Sequence, residues 1–147
     1  MSCSLGMLPV QNLFYNRAME VTAFEALVIA AVEALPQEFR DLLENVDIVV
    51  AERPTAEQCR FAGRRHLLLG LYEGVPRTVR GVRYQLALPD KITIFQSNIE
   101  ETCRLPEDIP ACVTRVVRHE IAHHFGLTDE ELKRIERREY CTKRSRR

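Results

Sequence analysis

His119-Glu120-Ile121-Ala122-His123-His124-Phe125-Gly126-Leu127-Thr128-Asp129 is the stretch on which the reading of this chain turns. Residues four apart on a helix sit about 40° apart around its axis, so the imidazoles of His119 and His123 project to one side. Two neutral imidazoles held that way make half of a tetrahedral zinc site. Glu120 follows the first of them directly. Its carboxylate therefore falls beside such an ion rather than on it, within reach of a water's proton. Upstream, Ile109, Cys112, Val113, Val116 and Val117 recur at helical spacing, which predicts a buried helix from about Glu107 to Phe125. Cys112, Val116, His119 and His123 follow at steps of four, three and four residues, so the imidazoles continue a row that starts apolar. The competing reading is a helix with ordinary polar histidines. Two of them at i, i+4 with a glutamate between argue against it.

The third ligand is sought downstream. Gly126 stands where a helix ends in a left-handed turn, which glycine enters at little cost. Such a turn brings the chain back across the helix end, and Asp129 then reaches the metal as an oxygen ligand. Glu130, or a water-bridged site, is the alternative. Thr128 and Glu131 also form a capping box, which would make Asp129 a first-turn acid favoured by the helix dipole. The two roles are compatible. His124 is read as a supporting or packing residue, not a ligand.

A chain of 147 residues suffices for one domain with a real core. Apolar residues at 46% and charged residues at 29% are ordinary for a globular protein, and no stretch approaches the length of a membrane span. The first residues lack a basic segment followed by an apolar one, so no signal peptide is expected. The five cysteines (Cys3, Cys59, Cys103, Cys112, Cys141) show no C-x-x-C spacing, which predicts free thiols and a cytoplasmic setting and excludes a cysteine-rich zinc ribbon. Net charge is zero but unevenly spread: acids dominate Glu20 to Glu57, and the chain ends Lys143-Arg144-Ser145-Arg146-Arg147. Residues 1–18 are expected to be a weakly ordered extension, 19–141 the domain and 142–147 a solvated basic tail.

Along the chain, Thr22 and Glu25 read as a capping box before an apolar stripe of Phe24, Leu27, Val28, Ala31 and Leu35. Pro36 ends that helix and opens a second, up to Asn45. Val46–Ala51 reads as a buried strand and Leu67–Tyr72 as another. Residues 54–66 are polar and irregular, with room for one helical turn, and Val75 to Arg83 reads as a loop. Lys91–Gln96 alternates polar and apolar as a half-buried strand does. A short helix over Asn98–Cys103, the helix carrying the histidines and a last helix from Asp129 to about Tyr140 complete the order. This predicts an α+β domain, with helices packed on one face of a short mixed sheet.

The string from His119 to Asp129 resembles the compact zincin-like metallopeptidases of bacteria. Leu69-Gly70-Leu71-Tyr72-Glu73-Gly74-Val75-Pro76 and Leu88-Pro89-Asp90-Lys91-Ile92-Thr93-Ile94-Phe95 look like that family's other two signatures, so the resemblance covers about residues 20–135. It implies a minimal zincin fold with the active-site helix near the C-terminus, Zn²⁺ on His119, His123 and Asp129, and hydrolysis of a peptide or protein substrate with Glu120 as general base. Metzincin-like proteins carry a third histidine where Asp129 stands and a methionine turn beyond it. Here the methionines are Met1, Met7 and Met19. Thermolysin-like enzymes take a glutamate from a later helix, for which only Glu136 and Glu139 are placed. An extended peptide would pair with Ile92–Phe95 or Leu67–Tyr72; no residue clearly supplies oxyanion binding beyond the metal, with Tyr72 and Tyr140 as the candidates. Two other functions compete: a metal-dependent RNA hydrolase, disfavoured because Glu130 rather than histidine follows Asp129, and a non-catalytic zinc-stabilised binding module.

Overall fold

The computed structural model describes residues 18–63, 67–81, 88–135 and 137. The chain runs through α1 (Val21–Glu33), α2 (Gln37–Arg40), β1 (Val46–Ala51), α3 (Ala56–Phe61), β2 (Gly70–Glu73), β3 (Asp90–Phe95), α4 (Gln96–Thr102) and α5 (Ile109–His124). Turns of 3-10 helix at Arg77–Val79 and Pro106–Asp108 precede β3 and α5, and residues 129–135 are helical again. The expected N-terminal extension up to residue 17, the basic tail and the end of the last helix with Tyr140 lie outside the described residues. Among the described residues, no helix is long and apolar enough to cross a membrane.

The fold is α+β, with a three-stranded mixed sheet ordered β1-β3-β2. β1 runs parallel to β3, from Val46 opposite Asp90 to Ala51 opposite Phe95. β2 runs antiparallel, from Gly70 opposite Ile94 to Glu73 opposite Lys91. Side chains alternate across a strand. Ile48 and Val50, Ile92 and Ile94, and Tyr72 therefore share one face, where they pack with Phe24 and Val28 of α1 and Val113, Val117 and Ile121 of α5. On the other face Leu68, Leu71 and Phe95 make a smaller cluster with Ala51 and Ala62.

Three local expectations change. β3 is the central strand, and all its residues except Lys91 are buried; Thr93, a polar member of the alternation, is covered, and so is Asp90 just ahead of it. β1, expected to be buried, is an edge strand with no fully buried residue. Thr22 does not cap α1. The helix starts two residues earlier, with Glu20 at the N-cap and no side-chain cap. Its entry is held instead by α4: the Gln96 amide donates to the Met19 carbonyl (2.6 Å), and the Met19 N–H donates to Glu100 (3.1 Å). A long-range anchor thus replaces the local one. The capping box that does form in this half of the chain belongs to Thr55 and Gln58 of α3.

A buried polar knot ties β3 to the end of α5. Asp90, 2% exposed, accepts from the Tyr72 hydroxyl (2.8 Å), the Val75 N–H (3.4 Å) and the Arg80 guanidinium, and lies 3.0 Å from Nδ1 of fully buried His124. Burial pushes the His124 pKa down, and Arg80 adds to this, against the upward pull of Asp90. The folded value is therefore below the ordinary 6.5, and the stability contributed by neutral His124 is complete above that pH. It is lost as pH falls below it. Thermal melts of the chelator-treated protein should show Tm falling between about pH 7 and pH 5, and His124→Phe should flatten that slope. An unchanged slope in the variant would remove His124 as its source.

Candidate metal centre

α5 has two sides with different work. Ile109, Cys112, Val113, Val116, Val117, Glu120, Ile121 and His124 are buried, at steps of three and one. This stripe seats the helix on the sheet and on α1, and each large apolar side chain so buried stabilises the fold by roughly 1.5–3 kcal/mol. The next row around the helix carries His119 and His123, whose side chains are 32% and 25% exposed. Helical spacing alone thus converts a buried flank into an open, ligand-bearing one.

The helix ends in a Schellman turn. Gly126 has φ +88°, its N–H donates to the His123 carbonyl (2.9 Å), and the Leu127 N–H donates to the Ala122 carbonyl (3.0 Å). The position also lacks room, because a Cβ there would collide with the Thr78 side chain. Past the turn, Thr128 and Glu131 cap the last helix reciprocally: Glu131 accepts from the Thr128 N–H (2.8 Å) and its own N–H donates to Thr128 Oγ1 (3.3 Å). The Thr128 bonds hold the Glu131 carboxyl below its usual pKa. Asp129 is thereby aimed back at α5. Its Oδ1 lies 3.1 Å from His119 Nε2 and 3.2 Å from His123 Nε2. The capping box and the position facing the imidazoles coexist, as their spacing allows.

The three groups fit a divalent ion. One donor atom each from His119, His123 and Asp129 falls within a 4.8 Å set. Two ligands about 2.1 Å from a tetrahedral ion stand about 3.4 Å apart, close to the two distances observed. The tautomer fits too. His123 Nδ1 lies 2.8 Å from the Leu127 carbonyl oxygen, which can only accept, so Nδ1 carries the proton and Nε2 keeps its lone pair for a metal. Glu130 is exposed and outside the set.

The centre opens into a cleft of about 850 Å³, walled by Leu67 to Tyr72 on one side and by Thr128, Asp129, Leu132 and Lys133 on the other. Glu120 lines it and is 8% exposed. β2 presses against this carboxylate through Gly70, where a Cβ would stand 2.9 Å from Glu120 Cγ and 2.8 Å from Val116 Cγ1. Glycine is what lets the strand approach the helix there.

Three features escaped the sequence reading. Asp90 stood in the sequence only as a member of a family-like string, with no role assigned to it. The Leu127 carbonyl is a backbone group with no sequence signature. Arg115, one turn ahead of His119, was open to detection by the same i, i+4 rule that found the ligands. Tyr72, a candidate for oxyanion binding, places its hydroxyl on Asp90 instead. His124 is a packing residue, with its ring edge-on to Tyr72 at 5.7 Å.

A family profile described as zincin-like metallopeptidase matches residues 43–139. No curated protein matches the chain. Among solved structures, a conserved hypothetical protein from Thermus thermophilus is similar at 24% identity, with a TM-score of 0.49 over 73% of this chain and 94% of that one.

Gly126→Ala should both destabilise the protein, by about 1 kcal/mol or more from backbone strain alone, and weaken metal binding roughly ten- to a hundredfold by disturbing the Leu127 carbonyl and Asp129. Denaturant unfolding and a competitive zinc titration read the two effects. Unchanged zinc affinity in a folded variant would show that the turn does not hold the centre.

Proposed function

The chain belongs to the zincin-like metallopeptidase family, and from that membership we propose that it hydrolyses peptide bonds, with zinc held by His119, His123 and Asp129 and with Glu120 as general base. The observation that carries this reading is the convergence of two Nε2 atoms and one carboxylate oxygen at the floor of a cleft that Glu120 also lines. When bound, the ion supplies Lewis acidity, which acidifies water and polarises a carbonyl.

The chain's own groups do the rest. Glu120 takes the proton of the attacking water and returns it to the leaving amine. Its placement between β2 and α5 fixes the carboxylate and limits its hydration. Leu127 orients the His123 ring, and the Schellman turn orients Asp129. The substrate backbone is held by strand addition. Of the two strands considered for this, β3 is excluded, because it is paired on both sides. Among the described residues β2 lies at an edge of the sheet, and Gly70, Leu71 and Tyr72 all line the cleft. The free thiols of Cys59, Cys103 and Cys112 support a reducing compartment such as the cytoplasm. Burial beside Cys112 pushes the Cys103 thiol up to about 11, which keeps it protonated and unreactive.

Glu120→Gln should lower turnover of a cleaved peptide by roughly a hundred- to ten-thousandfold while zinc stays bound. His119→Ala should lose both zinc and turnover. A fluorogenic peptide library and metal analysis read these outcomes, with structured RNA as a parallel substrate. Full turnover in Glu120→Gln would remove the general base, and cleavage of RNA alone would replace the peptide reading.

A further inference from the structure

Resting on the peptidase reading, we propose that the cleft selects peptides bearing a carboxylate within about two residues of the metal site, and that Arg115 and Lys133 recognise it. The argument starts from the charges that line the cleft. Four lining residues other than histidine are ionisable as acids or strong bases: Glu120, Asp129, Arg115 and Lys133. A divalent ion offsets the two carboxylates, so the two cations are in surplus. Both are exposed, and among the described residues neither has a carboxylate partner. Arg115 donates to Cys112 Sγ at 3.7 Å, a weak contact that leaves its charge uncompensated.

Their positions set the distance. Arg115 stands four residues before His119 on α5, and Lys133 four residues after Asp129 on the helix of residues 129–135. Each is just over one helical turn, about 6 Å of rise, from a group at the candidate metal site. An extended peptide advances about 3.3 Å per residue. A carboxylate one or two residues from the site therefore comes within reach of these side chains. The shared chemistry is a carboxylate, which an Asp or Glu side chain or the free C-terminus of a short peptide supplies. With a formal net charge of zero, the chain as a whole gives an acidic peptide no advantage, so selection has to be local.

Binding tests this without needing turnover. Full-length, zinc-loaded Glu120→Gln protein is titrated into labelled peptides that differ only as Asp against Asn, or as free C-terminal acid against C-terminal amide. Fluorescence polarisation should show tighter binding of an acid form, on the order of tenfold for two exposed charge contacts. Which pair differs identifies the source of the carboxylate. The preference should shrink as salt is raised and should collapse in the Arg115→Ala, Lys133→Ala double variant. It should persist in Lys91→Ala, which removes an exposed cation that does not line the cleft. Equal binding of acid and neutral forms, or equal loss in Lys91→Ala, would overturn the proposal. Acid-selective binding with no peptide cleaved by the wild-type protein would sink the peptidase reading and leave the carboxylate site standing.

Discussion

The left-handed turn at Gly126 is the constraint on which the candidate centre depends. Two imidazoles on one helix flank supply only two donors, and a helix alone cannot place a third in front of them. The chain has to reverse within a few residues, and it has to satisfy the carbonyls at the helix end while doing so. The Schellman bonds from Gly126 and Leu127 do both. The same turn sets the Leu127 carbonyl against His123 Nδ1 and leaves Thr128 free to cap the next helix. One backbone conformation thus orders a candidate ligand, its orienting acceptor and the helix that walls the cleft.

α5 is rigid because most of its circumference is buried. Phe24 and Val28 on one side, and Ile92 and Ile94 on the other, pack around it with almost no exposure. The metal-facing flank is therefore held by apolar contacts made elsewhere on the same helix. Gly70 completes the arrangement, since its lack of a side chain lets β2 lie against Glu120.

Behind the centre, the cluster of Asp90, Arg80, Tyr72 and His124 ties the N-terminal end of β3 to the last turn of α5. Buried charges of this kind are weak sources of net stability, because the cost of removing them from water is comparable to their attraction. What they add is position: a carboxylate satisfied from several directions tolerates little displacement. His124, immediately after a proposed ligand, is thereby locked on the buried flank of the helix, turned away from His119 and His123.

Local patterns in the sequence carried much of this protein. The i, i+4 histidines, the glutamate between them, the glycine three residues on, the capping box at Thr128 and the β-branched run Val46–Ala51 each depend on neighbours within a few residues, so spacing alone exposes them. The mixed α+β class followed from the order of such segments. Tertiary structure decided what spacing cannot express. β3 is central rather than half-exposed because β1 and β2 both pair with it, and strand order is a long-range choice. α1 is anchored by Gln96 and Glu100, far away in sequence, so the local capping pattern at Thr22 was overridden. Asp90 became the hub of a buried knot only when residues from four separate segments met around it. The sequence determined which groups stand at the candidate site. Packing determined how they face one another, because orientation depends on contacts between residues that are distant along the chain.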